Sequence, residues 1–195
     1  MFFYKVDEQT ELRLMERHHS EELFTLFDSN REFWRQWHPW LHTVRSASDA
    51  DRLIAGWLQQ LANNKGFCAG VWFEGALSGM INHLDVDWAN RSTALSYWLD
   101  EAHQGRGIMT ACCQAFISHA FTTWKLNRVT IQCAARNARS RAIPERLGFK
   151  FEGIVRETEW LYDHFVDHAL YGLLRSDYSD GNSVGAQESP HRRVG

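Results

Sequence analysis

The sequence predicts an α/β (α+β) domain: a mixed sheet with helices on both faces. Three features predict it. Leu53, Ile54, Trp57, Leu58 and Leu61 form an apolar stripe at helical spacing. Residues 67–73 and 77–84 are apolar runs flanking Glu74-Gly75, a hairpin signal. Residues 95–99 are a hydrophobic strand that runs through a glycine turn into a long amphipathic helix. The antiparallel middle hairpins exclude strict doubly wound alternation.

The first strand is expected at residues 12–15. Ser20 then caps a helix, with Glu21 and Glu22 in the first turn, where the helix dipole favours acids, and Leu23, Leu26 and Phe27 on its apolar face. A short helix carries Phe33, Trp34 and Trp37 and is interrupted by Pro39. Ser48, with Asp51 three positions on, caps the third helix, which ends at Asn63, Asn64 and Gly66. Strands follow at 67–73, 77–84 and 93–99, then a helix over about 107–124, a strand at 128–133, a short helix at 140–146, a strand from Phe149 and a last strand near 166–174.

A chain of 195 residues, 44% hydrophobic and 23% charged, suits one domain with a real core, placed at 1–178. From Ser176 the sequence is polar, so 179–195 is expected to be a disordered tail. A net charge of -3 argues against a nucleic-acid surface. No signal peptide and no apolar run of membrane length is apparent, so a cytoplasmic protein is expected. Cys68, Cys112, Cys113 and Cys133 form no CxxC pair and are expected to be free thiols. The spacings His38/His42 and His164/His168 offer no third ligand, and no metal is expected.

The most informative stretch is L-D-E-A-H-Q-G-R-G-I-M-T, residues 99–110. The first amides of a helix have no intrahelical partner and carry partial positive charge. Glycines let an anion approach the backbone closely, and Arg106 adds a fixed charge. A strand–glycine turn–helix element of this kind suits a pyrophosphate, or is only a tight turn. Walker A is absent, and the dinucleotide fingerprint fails at Thr110.

Gln104-Gly105-Arg106-Gly107 resembles the (Gln/Arg)-x-x-Gly-x-(Gly/Ala) loop of the GNAT acetyltransferase superfamily. N-A-R-S-R-A-I-P-E-R-L-G-F, residues 137–149, is similar to that superfamily's second acetyl-CoA element. More narrowly, H-Q-G-R-G-I-M-T, L-N-R-V and R-A-I-P-E-R-L-G-F resemble the ribosomal-protein N-terminal acetyltransferases of the RimJ/RimL type. The resemblance implies a GNAT fold with a central, mostly antiparallel mixed sheet, and acetyl-CoA as co-substrate. It implies that Gly105, Arg106, Gly107, Ile108, Met109 and Thr110 hold the pyrophosphate, with Gln104 fixing the turn. Trp98 and Leu99 would pair with the pantetheine arm, and Asn137 and Ser140 would lie against the arm and thiol. Met109 stands at the loop's last small position, as in similar Rim-type proteins. Pro144 stands where the superfamily often has a Tyr as general acid.

An amine attacks a thioester only when unprotonated, so direct transfer needs a base and a donor for the leaving thiolate. By resemblance, Glu159 is the base and Ser140 assists the thiolate. Glu157 is the nearest rival, because regular strand alternation puts it on the face of Glu159. Ser140 also suits a helix N-cap. Cys133 reads as a small apolar strand residue rather than a nucleophile. Trp34, Trp37 and Trp40 either wall the acceptor groove or pack the core. The expected acceptor is a protein or peptide N-terminus, possible alternatives being a small-molecule amine or a non-catalytic acetyl-CoA sensor. Edge strands near the C-terminus would permit a homodimer.

Overall fold

The computed structural model describes residues 3–179. Its eight strands form one sheet in the order β1-β2-β3-β4-β5-β6-β8-β7. These are β1 (Phe3–Lys5), β2 (Thr10–Leu14), β3 (Cys68–Phe73), β4 (Ala76–Asp87), β5 (Ser92–Leu99), β6 (Arg128–Ala134), β7 (Lys150–Leu161) and β8 (His164–Leu174). Neighbours are antiparallel except β5 and β6. The helices are α1 (Ser20–Ser29), α2 (Arg31–Trp34), α3 (Ala47–Ala62), α4 (Ile108–Ser118) and α5 (Ala138–Arg146). The expected mixed sheet with two helical layers is therefore present.

One core lies between the sheet and α4, where Ile108, Cys112, Phe116 and Ile117 meet Leu95, Val129, Ile131 and Tyr171. The other lies under α1 and α3, where Phe27, Leu23 and Ile54 meet Met80 and Trp72. Each inner strand presents alternate residues to the two layers, so both faces are apolar. Among the described residues no helix is long and apolar enough to cross a membrane.

Several local expectations need correction. The edge strand β1 is extra; it has three exposed residues and no alternation to betray it. Ser20 is the first residue of α1 and not its cap, because a 3-10 turn at Arg17–His19 leads into the helix. The cap of α3 is Ser46 rather than Ser48. Its side chain accepts from the Asp49 amide, and the Asp49 carboxylate in turn accepts from the Arg45 amide at 2.9 Å. The long helix turns π-helical at His119–Thr123. Beyond these corrections, Lys150 bonds Asp177 at 3.1 Å, and Tyr178 packs on Phe121. Apart from Ser179, the expected tail lies outside the described residues.

His83 on β4 is fully buried against the Phe116 ring (4.7 Å) and Trp124 (4.7 Å), and neither ring nitrogen has a hydrogen-bond partner of normal geometry. Burial pushes its pKa down to about 3, with His119 adding to the effect. The native state thus holds this ring neutral, while the unfolded chain binds a proton below the ordinary value of 6.5. Its contribution is fully present above pH 6.5 and is lost as pH falls toward 3. Unfolding free energy is expected to drop by about 1.4 kcal/mol per pH unit from this group over that window. Urea titrations of the native protein and of His83→Phe at pH 7 and pH 5 check this; the variant should show the shallower dependence.

Candidate active site

The sheet opens where β5 and β6 part. The two strands pair from Ser92–Arg128 to Leu95–Ile131. Beyond that point β5 continues to Leu99 beside β4, and β6 continues to Ala134 beside β8. This leaves a slot between two strand ends, with polar backbone edges available to an outside partner.

The glycine loop lies at one end of the slot. Gly105 and Gly107 have φ of 77° and 82°, the left-handed region, and a Cβ added at either would meet no atom within 4 Å. Glycine is therefore required here by backbone conformation and not by crowding within the protein. Gly107 caps α4, whose first backbone bond runs from Ala111 N–H to the Gly107 carbonyl at 3.0 Å. The amides of Ile108, Met109 and Thr110 precede that bond and point out of the helix start. Gln104 ties the loop down, its Nε2 donating to the Leu99 carbonyl at 3.4 Å and its Oε1 accepting from Arg139 at 2.8 Å. Arg146 donates to the Thr110 hydroxyl at 2.8 Å, and Arg106 lies over the Phe73 ring at 5.8 Å. Three guanidinium groups thus surround a helix N-terminus. Arg139 and Arg146 were not singled out in the sequence, although their places in α5 (A-R-S-R-A-I-P-E-R) make them reachable from α4. An open left-handed cradle, free amides and clustered cations fit a pyrophosphate.

Trp34 donates from Nε1 to the same Leu99 carbonyl at 3.0 Å and packs on Trp98 at 4.8 Å. Phe27 completes the stack against Trp34, Trp40 and Trp98. Trp34 and Trp40 therefore pack the core beneath the end of β5. Trp37 instead lines a groove of about 580 Å³ with Arg35, Arg136, Leu161, Tyr162 and Val166. Tyr162 closes one end by donating to the Arg35 carbonyl at 2.9 Å.

Ser140 is held through both of its backbone groups. The cap of α5 is Asn137, not Ser140: the Asn137 Oδ1 accepts the Ser140 amide at 3.1 Å. Pro144 has no N–H, which frees the Ser140 carbonyl one turn earlier. The Tyr97 hydroxyl takes that place, donating at 3.0 Å. The Ser140 hydroxyl lies beside the Cys133 thiol. Burial raises the Cys133 pKa, outweighing the opposing effects of Ser140 and Arg141, so the thiol stays protonated near neutrality. Burial likewise raises Tyr97 well above its ordinary value, so its hydroxyl remains a donor. All four cysteines are free, and Cys112 is pushed up to about 12 by burial.

Glu159 lies across the sheet from Ser140. It pairs with Val166, and its Oε2 is 2.9 Å from His168 Nε2. Regular alternation does not hold here. Val155 pairs with His168 and Glu159 with Val166, so four steps on β7 match two on β8. The surplus bulges out at Glu157, which has a φ of 49° and whose amide donates to the Asp167 carboxylate at 2.8 Å. In an unbulged ladder Glu157 would sit opposite Val166. The bulge leaves Glu157 exposed and seats Glu159 beside His168. His38 lies close enough for Glu159 to act on it: burial lowers the His38 pKa to about 4, with the carboxylate opposing. Among the described residues no group of three His, Cys, Asp or Glu side chains is arranged to hold a metal ion.

Comparison with known proteins identifies the family. Residues 9–150 match the family model described as an acetyltransferase (GNAT) domain. The Bacillus subtilis (strain 168) protein YdaF is 36% identical over 182 residues, covering 91% of this chain and 98% of its own. The ribosomal-protein-serine acetyltransferase of Escherichia coli (strain K12) is 32% identical over 172 residues, covering 87% and 95%. The crystal structure of the microcin C7 self-immunity acetyltransferase MccE, in complex with acetyl-CoA and AMP, superposes with a TM-score of 0.84 at 25% identity, covering 87% and 94%. The chain belongs to the GNAT acetyltransferase family and is an acetyl-CoA-dependent N-acetyltransferase.

Proposed function

We propose that the acceptor is a protein or peptide N-terminal α-amino group of the ribosomal-protein type, acetylated by direct attack in a ternary complex. Glu159 acts as general base and Ser140 as hydrogen-bond donor to the departing sulfur. The loop from Gln104 to Thr110 holds the pyrophosphate, with Arg106, Arg139 and Arg146 adding charge. The ends of β5 and β6, with Trp98, Leu99 and Asn137, bracket the arm. Bound acetyl-CoA supplies an activated acetyl thioester.

One observation supports this reading: Glu159 and Ser140 lie on opposite faces of the sheet, and His168 beside Glu159 pairs with Ala134, on the part of β6 beyond its last pairing with β5. Glu159 shares the face of Val166, which lines the groove. Ser140 lies beneath the other face with Cys133. An amine entering from the groove meets a base on its own side, and the sulfur leaves toward a donor on the far side. An α-amino group, with a pKa near 8, gives up its proton more readily than a lysine near 10.4, which suits a carboxylate base. The groove joins apolar walls (Trp37, Leu161, Val166) to charges (Glu32, Arg35, Arg136), a surface suited to a short extended peptide. The relative that acts on a ribosomal-protein serine points the same way.

The test is a competition among acceptors with acetyl-CoA, read by tandem mass spectrometry. The mixture holds ribosomal-protein peptides with free N-terminal Ser or Ala, N-blocked Lys peptides, spermidine and an aminoacyl-nucleotide mimic. Acetyl on the free α-amine with the highest kcat/KM is expected. Preference for a lysine side chain, the polyamine or the nucleotide would overturn the assignment of the acceptor.

A further inference from the structure

We propose that Gln132 and His168 form a two-link hydrogen-bond chain that orients Glu159 toward the acceptor groove, with His168 a positioning residue and not the base. The inference rests on Glu159 being the base, as argued above.

The chain crosses three adjacent strands, β6, β8 and β7. On β6, Val129 and Ile131 face the α4 core; on β8, Ala169, Tyr171 and Leu173 do the same. Gln132 and His168 therefore share the opposite face, as does Glu159 through its pairing with Val166. Gln132 Nε2 is 3.3 Å from His168 Nδ1, and His168 Nε2 is 2.9 Å from Glu159 Oε2.

Chemistry fixes the direction of both bonds. An ionised carboxylate only accepts, so His168 Nε2 carries the proton that bonds Glu159. In the neutral ring Nδ1 is then an acceptor, and only the NH2 end of Gln132 can satisfy it. With the ring neutral, one tautomer and one amide orientation follow. Oε2 of Glu159 is thereby occupied, and Oε1 is left for the acceptor amine.

Exposure separates the two roles. The Glu159 side chain is 30% exposed and the His168 ring 17%, so the carboxylate is the more open of the two and shares a face with Val166, which lines the groove. The bulge at Glu157 serves the same end. Its two surplus residues, closed by Asp167, bring Glu159 level with a histidine that a regular strand would have given to Glu157. Nearby, His38 is held neutral by burial, and Asp167 is engaged by the Glu157 amide.

The test uses the full chain, acetyl-CoA and a peptide with a free N-terminal serine, with the variants His168→Leu, His168→Gln, Gln132→Leu, Glu159→Gln and the double variant Glu159→Gln/His168→Leu. His168→Leu is expected to lower kcat about tenfold to hundredfold, the scale of a misplaced reacting group, with the KM and Kd of acetyl-CoA unchanged. His168→Gln, whose amide can still donate, should recover most of the loss. Gln132→Leu should give a smaller loss of the same kind. On the Glu159→Gln background His168→Leu should add less than a further twofold, because its effect passes through the carboxylate. Independently of turnover, nitrogen-15 spectra of the native protein should show His168 as the Nε2–H tautomer, with that bias lost in Gln132→Leu.

If Glu159→Gln collapses kcat but His168→Leu and His168→Gln both stay within twofold of native, the positioning role is overturned and the base stands. Multiplicative losses in the double variant, or an Nδ1–H tautomer in the native protein, overturn it as well. Native kcat in Glu159→Gln overturns the base assignment itself. If His168→Leu does not fold, the glutamine variant and the tautomer decide.

Discussion

Replacing Glu159 by Gln is expected to lower kcat about 10²- to 10⁴-fold, the usual contribution of a positioned general base. The amide keeps the size and shape of the side chain but cannot take a proton from the attacking amine. The residues proposed to hold acetyl-CoA lie on β5, α4, α5 and the loop before α4, and Glu159 on β7, so its Kd should stay within twofold. Stability should change little, since the lost bond is a partly exposed pair with His168. The informative control is Glu157→Gln. Glu157 is exposed on the bulge, and its fixed contact is its backbone amide to Asp167, which the substitution keeps. Its kcat is expected within twofold of native. Steady-state rates on the N-terminal-serine peptide, with calorimetric acetyl-CoA titration of each variant, check both values.

Gly107→Val is expected to weaken acetyl-CoA binding about 100-fold while costing the fold only about 1–3 kcal/mol. At φ 82° a β-branched residue is strained, so the first turn of α4 must shift. A hydrogen bond to a charged partner is worth about 1.5–3 kcal/mol, so misaiming one or two loop amides gives the stated loss. The open space around the Gly107 Cα limits the damage within the protein, because an added Cβ has nothing within 4 Å to clash with. Titration calorimetry gives the affinity, and thermal unfolding without ligand gives the stability. A large drop in both would assign Gly107 to folding alone.

Much of this was legible in the sequence because it is written in local rules. The stripe of α3, the Glu74-Gly75 hairpin and the glycine turn into α4 each follow from spacing or backbone conformation; Glu74 and Gly75 do adopt φ of 51° and 84°. The cap of α3 slipped by two residues because the sequence offers two similar pairs, Ser46 with Asp49 and Ser48 with Asp51, and propensity does not choose between them. What stayed hidden is non-local. The bulge at Glu157 puts positive φ on a residue with no glycine signal, and it decides which glutamate faces His168. Pro144 was visible as a departure from the family's pattern. Its consequence, a free Ser140 carbonyl taken by Tyr97 from a strand 43 residues earlier, needs the packed α5. Likewise Arg139 and Arg146 reach the loop only once α5 lies beside α4.

In the proposed direct transfer from bound acetyl-CoA to an amine across the opened sheet, Cys133 is a bystander. A single-turnover experiment tests it. Protein is mixed with isotope-labelled acetyl-CoA, first alone and then with the N-terminal-serine peptide, and both polypeptides are weighed by mass spectrometry. No label is expected on the protein before the peptide is added, and label on the peptide α-amine afterwards. Acetyl on Cys133 before the acceptor arrives, passed on when it does, would contradict direct transfer.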